Sequence, residues 1–246
     1  MSVSVPRNPT SASGVRLLLV ALALAAAANL VADVPFYFGA YVAALGSWYS
    51  SETYQQYAPL LNLAVPALVG VIGVVGIVQL EKGRNWTRNG PRDPTRVAFY
   101  VGGAAAALLF LTGLVLGFWY HPPATLWNPV RMTLRFVLVL AAGIYLLGTA
   151  ARLDPGSWIA LGKIALVFGT FAAAVRMGVA IVNGLFQVSG TGAQLAAALS
   201  LAAFVIAMLS LFVWIAVYDH IRRRFPPEAI KRGNAVVRNG RTRQSG

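Results

Sequence analysis

The sequence predicts an all-α integral membrane protein, a six-span transmembrane helical bundle with both termini cytoplasmic. Three observations carry that expectation. Of the 246 residues, 58% are apolar and only 11% charged, and the mean hydropathy is +0.67, whereas soluble domains carry about 25% charged residues. The apolar residues form continuous runs near the ~20 residues a helix needs to cross hydrocarbon, not the shorter alternating segments of a barrel. Finally, lysine and arginine gather beside those runs on one side, as cytoplasmic loops do.

The elements follow in order. Span one covers roughly Val15–Val34 and ends in "DVPF". Its run "VRLLLVALALAAAANLVA" follows a basic start and so resembles a signal peptide, but it is longer than a usual signal core and reads as a retained span. Cleavage would leave five spans in the same orientation. Span two covers Tyr57–Leu80, with Pro66 as a bend and Gly70, Gly73 and Gly76 as close-packing positions. Span three covers Arg96–Tyr120 and contains Gly113 and Gly117 in GxxxG spacing, read as packing within the bundle. Spans four, five and six cover Val130–Leu153, Trp158–Val182 and Gln194–Tyr218. Breaker chemistry separates them: "KGRNWTRNGPRDP", "YHPP" with "NP", "LDPGS", "VSGTG" and "RRRFPP". Residues 1–14 then form a cytoplasmic tail, 15–218 the bundle, and 219–246 a basic cytoplasmic tail whose scarcity of apolar residues predicts disorder.

Sixteen of the twenty lysines and arginines lie in the tails and in the second and fourth connections, all on one side in this topology. That places the protein in the cytoplasmic membrane as a multi-pass protein. The sequon Asn85-Trp86-Thr87 falls on the same side and reads as a chance match. Arg222, Arg223 and Arg224 are expected to attract anionic lipids at the cytoplasmic face. The formal net charge of +13 therefore needs no nucleic acid, for which the chain has no recognisable module.

The other four basic residues are Arg131, Arg135, Lys163 and Arg176. Lys163 begins the fifth span and can extend to cytoplasmic headgroups. Arg131 and Arg135 lie one helical turn (~5.4 Å) apart in the outer half of the fourth span, and Arg176 is ~27 Å along the fifth. With Asp33 and Asn29 closing the first span, and with His121 and Asn183, they form an outer polar group. It reads either as snorkelling and an Arg135–Asp33 pair, or as a cationic recess for an anion or amphiphile. The aromatic connection from Phe36 to Tyr57 lies on that side, as an interfacial belt or a cover for the recess.

Absences narrow the chemistry. With no cysteine, disulfides, thiolate metal sites and a cysteine nucleophile are excluded. The two histidines, His121 and His220, fall at opposite membrane faces, which disfavours a bis-histidine haem. No GxSxG and no dense His/Asp/Glu set are present. The expected function is thus non-enzymatic: a small transporter, or a membrane subunit of a larger complex with partner subunits. The alternative is a haem-free anchor of a membrane redox complex in which His121, Asp33 and an arginine border a quinone.

Overall fold

The computed structural model describes residues 9–38, 52–82, 93–118, 124–154, 156–186 and 189–225. Six helices account for nearly all of them: α1 Pro9–Phe38, α2 Glu52–Lys82, α3 Pro94–Phe118, α4 Ala124–Leu153, α5 Trp158–Phe186 and α6 Thr191–Arg223. Each contains a segment long and apolar enough to cross a membrane. The protein is a multi-pass helical membrane protein. The aromatic connection after Phe38, the sequon, His121 and the tail after Phe225 lie outside the described residues.

Each helix runs past its expected span at one end or both. α1 starts at Pro9, where a proline suits a first turn that has no use for its N–H, and continues through Pro35. α6 continues to Arg223. The expected "NP" connection before span four needs correction, because Asn128 and Pro129 lie inside α4. Pro129 falls near the start of that helix, where few carbonyls are deprived of a donor, and its own carbonyl accepts from Thr133 Oγ1 at 2.9 Å. Asp93 caps α3, its Oδ1 accepting the Thr95 N–H at 3.0 Å. Gly190 precedes α6 at φ 58°, a left-handed conformation that glycine adopts without a Cβ clash.

Successive helices are neighbours around a ring that α6 closes by packing on α1, and α2 and α3 make the weakest contact between ring neighbours. The main core draws Val15 and Leu18 from α1, Leu80 from α2, Leu146 and Leu153 from α4, and Trp214, Val217 and Ile221 from α6. These residues lie toward the first turns of α1 and the last turns of α2, α4 and α6. Both ends of the described chain therefore emerge together, at the end that carries most of the basic residues. Polar ties cross between helices there: Ser210 Oγ donates to the Ala165 carbonyl at 2.7 Å and Tyr218 OH to the Leu146 carbonyl at 3.0 Å. Such bonds and small residues hold helices together where lipid is as apolar as the side chains. The outward faces are hydrocarbon, with Val71, Leu111, Val167 and Phe171 all exposed.

Single cysteines introduced into this cysteine-free chain provide a check on the orientation. Cysteines replacing Ser51 and Gly190 are expected to react with an impermeant reagent from the side opposite to one replacing Arg88. Labelling of positions 51 and 88 from the same side would refute the six-span arrangement.

Candidate ligand site

α4 and α5 run antiparallel in tight contact. A Cβ added to Gly143 would touch Leu166, and one added to Gly162 would touch Leu147. Extending that register toward the far end brings Arg176 to a level between Arg131 and Arg135. The helix lengths agree, since Arg135 stands eighteen residues before Leu153 and Arg176 eighteen residues after Trp158, or ~27 Å from the basic end for both. All three arginines are half-buried. The Arg176 guanidinium carbon lies 5.7 Å from the ring centre of buried Phe204 on α6, within reach of a cation–π attraction.

The remaining residues expected here are distributed differently. Asn29 and Asn183 are exposed. Asp33 belongs to α1, but its side chain, like His121, lies outside the described residues. Lys163 is exposed near the start of α5, in keeping with a side chain that extends to the interface.

A second polar group, at the basic end, escaped sequence reasoning. Tyr145 OH donates to Glu81 Oε1 at 2.8 Å, joining α4 to the end of α2, with both residues buried. Arg152 at the end of α4 donates to Asp93 Oδ2, the second oxygen of the carboxylate that caps α3. Burial pushes the Asp93 carboxyl up, but the hydrogen bonds from Arg152 and Thr95 and the charge of Arg152 outweigh it and hold the group below the ordinary aspartate range. Buried Asp154 follows α4 and takes Arg224 at 2.8 Å, with His220 Nε2 3.4 Å away. The His220 ring stacks on Trp158 with centroids 4.4 Å apart. Arg222 and Arg223 pair with Asp219 one turn earlier in α6, at 2.6 and 2.7 Å.

The tail arginines expected to attract lipid are thus matched with carboxylates. One signal in the sequence hinted at this. Of only seven acidic residues, Glu81, Asp93, Asp154 and Asp219 all flank the basic ends of spans, where the positive-inside rule alone asks for no acid.

The fold and these two polar layers define a polytopic helical membrane protein with a cationic level in the half far from its termini. The chain matches no protein-family model, no curated protein and no solved structure.

Proposed function

We propose that this is a non-enzymatic membrane protein that recognises an anionic or amphiphilic ligand through Arg131, Arg135 and Arg176, with Asp33 as counter-charge. It acts as a small transporter of that ligand or as the ligand-holding membrane subunit of a larger complex. What supports the reading is the α4–α5 register, which, extended from Gly143 and Gly162, gives three half-buried arginines similar depths on two adjacent helices. Inserting one arginine at a helix centre costs ~2.5–3.5 kcal/mol on a translocon scale, and ionisable groups inside spans face cavities and pathways rather than lipid. An oxyanion is the ligand class that three guanidinium groups in one half of a bundle suit. The cation–π contact of Arg176 with Phe204 engages the charge through the ring and not through a hydrogen-bond acceptor, so it is compatible with an oxyanion.

Thermal unfolding of the purified protein across a series of inorganic anions, carboxylates and anionic lipids tests the reading. A ligand present at 100 times its Kd is expected to add about 2.7 kcal/mol to stability. Arg135→Gln should remove most of that gain, Arg135→Lys should retain part of it, and Lys163→Gln should leave it intact. Asp33→Asn makes the level more positive and should enlarge it. Equal responses from the Arg135→Gln and Lys163→Gln proteins would defeat the proposal.

A further inference from the structure

A groove of about 470 Å³ opens between α2 and α3 at the basic end, where the ring of helices is most weakly joined. Its lining is ordered by depth. Lys82 is the last residue of α2 and Arg96 the third of α3, so both basic side chains stand at the rim. One turn deeper on each helix, ~6 Å at 1.5 Å per residue, come Val78 and Tyr100, which are 40% and 67% exposed. Phe99 forms the back, its ring tilted against Tyr145 with centroids 6.1 Å apart. Beyond the groove the outward faces of both helices continue as hydrocarbon, through Val74 and Val71 on α2 and Val101 and Leu108 on α3.

We infer that this groove is a binding site for an anionic phospholipid of the leaflet at the basic end, its phosphodiester at Lys82 and Arg96 and its first acyl carbons against Val78, Tyr100 and Phe99. Three features select that occupant. The groove is amphipathic in the order a lipid requires, with charge at the interface and hydrocarbon one turn inside. It opens sideways between two helices, the direction from which a lipid arrives. Among the described residues its charged lining comprises Lys82, Arg96 and the Glu81 carboxylate, a net positive lining that complements one phosphodiester. Glu81 is buried and accepts the Tyr145 hydroxyl, which holds its carboxylate toward α4. A free phosphate would satisfy the rim and leave the apolar walls unused.

The experiment uses the full chain purified from micelles containing equal amounts of phosphatidylglycerol and phosphatidylcholine, with bound lipid counted by native mass spectrometry. The wild-type protein is expected to retain phosphatidylglycerol preferentially. Lys82→Gln and Arg96→Gln should each lower that preference about five-fold, and the double variant about thirty-fold, as expected for roughly 1 kcal/mol per basic residue near a charged surface. Arg96→Lys should keep most of it, which separates lost charge from misfolding. Lys163→Gln, an exposed cation on α5 at the same end but outside the groove, should not change it. Unchanged preference in the double variant would overturn the site, as would displacement of the lipid by inorganic phosphate. An equal loss of preference in Lys163→Gln would trace the selectivity to surface charge in general and overturn it equally. So would a dimer or bound protein partner lost in the double variant while lipid retention persists.

Discussion

Gly14→Val is expected to force α1 away from α2 and to cost at least ~3 kcal/mol, the upper part of the range for overpacked positions. A Cβ at Gly14 would come within 2.6 Å of the Leu80 nitrogen and 2.7 Å of the Gly76 carbonyl oxygen. Both are backbone atoms, and no rotamer change can withdraw them. Gly76 faces the same crossing from the other side, where an added Cβ would come within 3.0 Å of Leu17 Cβ and 3.1 Å of the Leu18 nitrogen. Gly70, two turns back along α2, has nothing within 4 Å, so Gly70→Ala should leave stability unchanged or slightly raised. Thermal unfolding in detergent checks the contrast, and similar melting of Gly14→Val and Gly70→Ala would show that the crossing is not close. The consequence reaches function, because α2 carries Glu81 and Lys82 at that end, and the valine variant should also lose selective lipid retention.

Arg152→Ala is expected to destabilise the fold by ~3 kcal/mol, the lower part of the range for breaking a buried ion pair. The Asp93 carboxylate is 4% exposed, so losing Arg152 takes an opposite charge away from a buried carboxylate; Arg152 itself is 31% exposed, so water moderates the cost. Asp93→Asn in the Arg152→Ala background should recover much of the loss, since asparagine still caps α3 without bringing a charge. The pH dependence has a definite sign. Arg152 and Thr95 hold the folded Asp93 carboxyl below its ordinary range. The pair therefore contributes fully above the unfolded aspartate pKa, about 4, and its contribution is lost as pH falls through the lowered folded value. Without Arg152 the largest lowering contribution is gone, and acid relieves the buried charge. The gap between wild type and Arg152→Ala should be widest near neutral pH and narrow on acidification below about 4. A gap independent of pH would show that Arg152 acts by packing alone.

Six apolar runs, their alternating direction and the depths of the arginines were legible in the sequence because each depends on local quantities. Hydropathy adds up along ~20 residues, and a rise of 1.5 Å per residue turns sequence distance into depth. That sufficed to expect Arg131, Arg135 and Arg176 in one half of the bundle before any packing was known. Helix ends were less legible. Hydropathy reports where lipid ends, whereas the helix continues until its backbone hydrogen bonds find other partners. α1 accordingly runs from Pro9 to Phe38 and α4 reaches back to Ala124 through Pro129.

What the tertiary structure alone decided is which side of each helix meets which neighbour. Glu81 with Tyr145, Asp93 with Arg152 and Asp154 with Arg224 join residues 64, 59 and 70 positions apart. In the sequence the basic members read only as positive-inside residues. Gly14 attracted no notice there, while Gly70, Gly73 and Gly76 looked alike; of these four, Gly14 and Gly76 are the two crowded by backbone atoms across a helix crossing. The groove between α2 and α3 likewise exists because the ring is weakest at that junction. The sequence by itself determined the spans, their expected one-sided charge and the level of each ionisable group, since these follow from composition and rise along one helix. The angular position of each side chain, and therefore the ion pairs, the crossing and the groove, followed only from helix packing, because a helix presents its residues at 3.6 per turn to neighbours that hydropathy does not name.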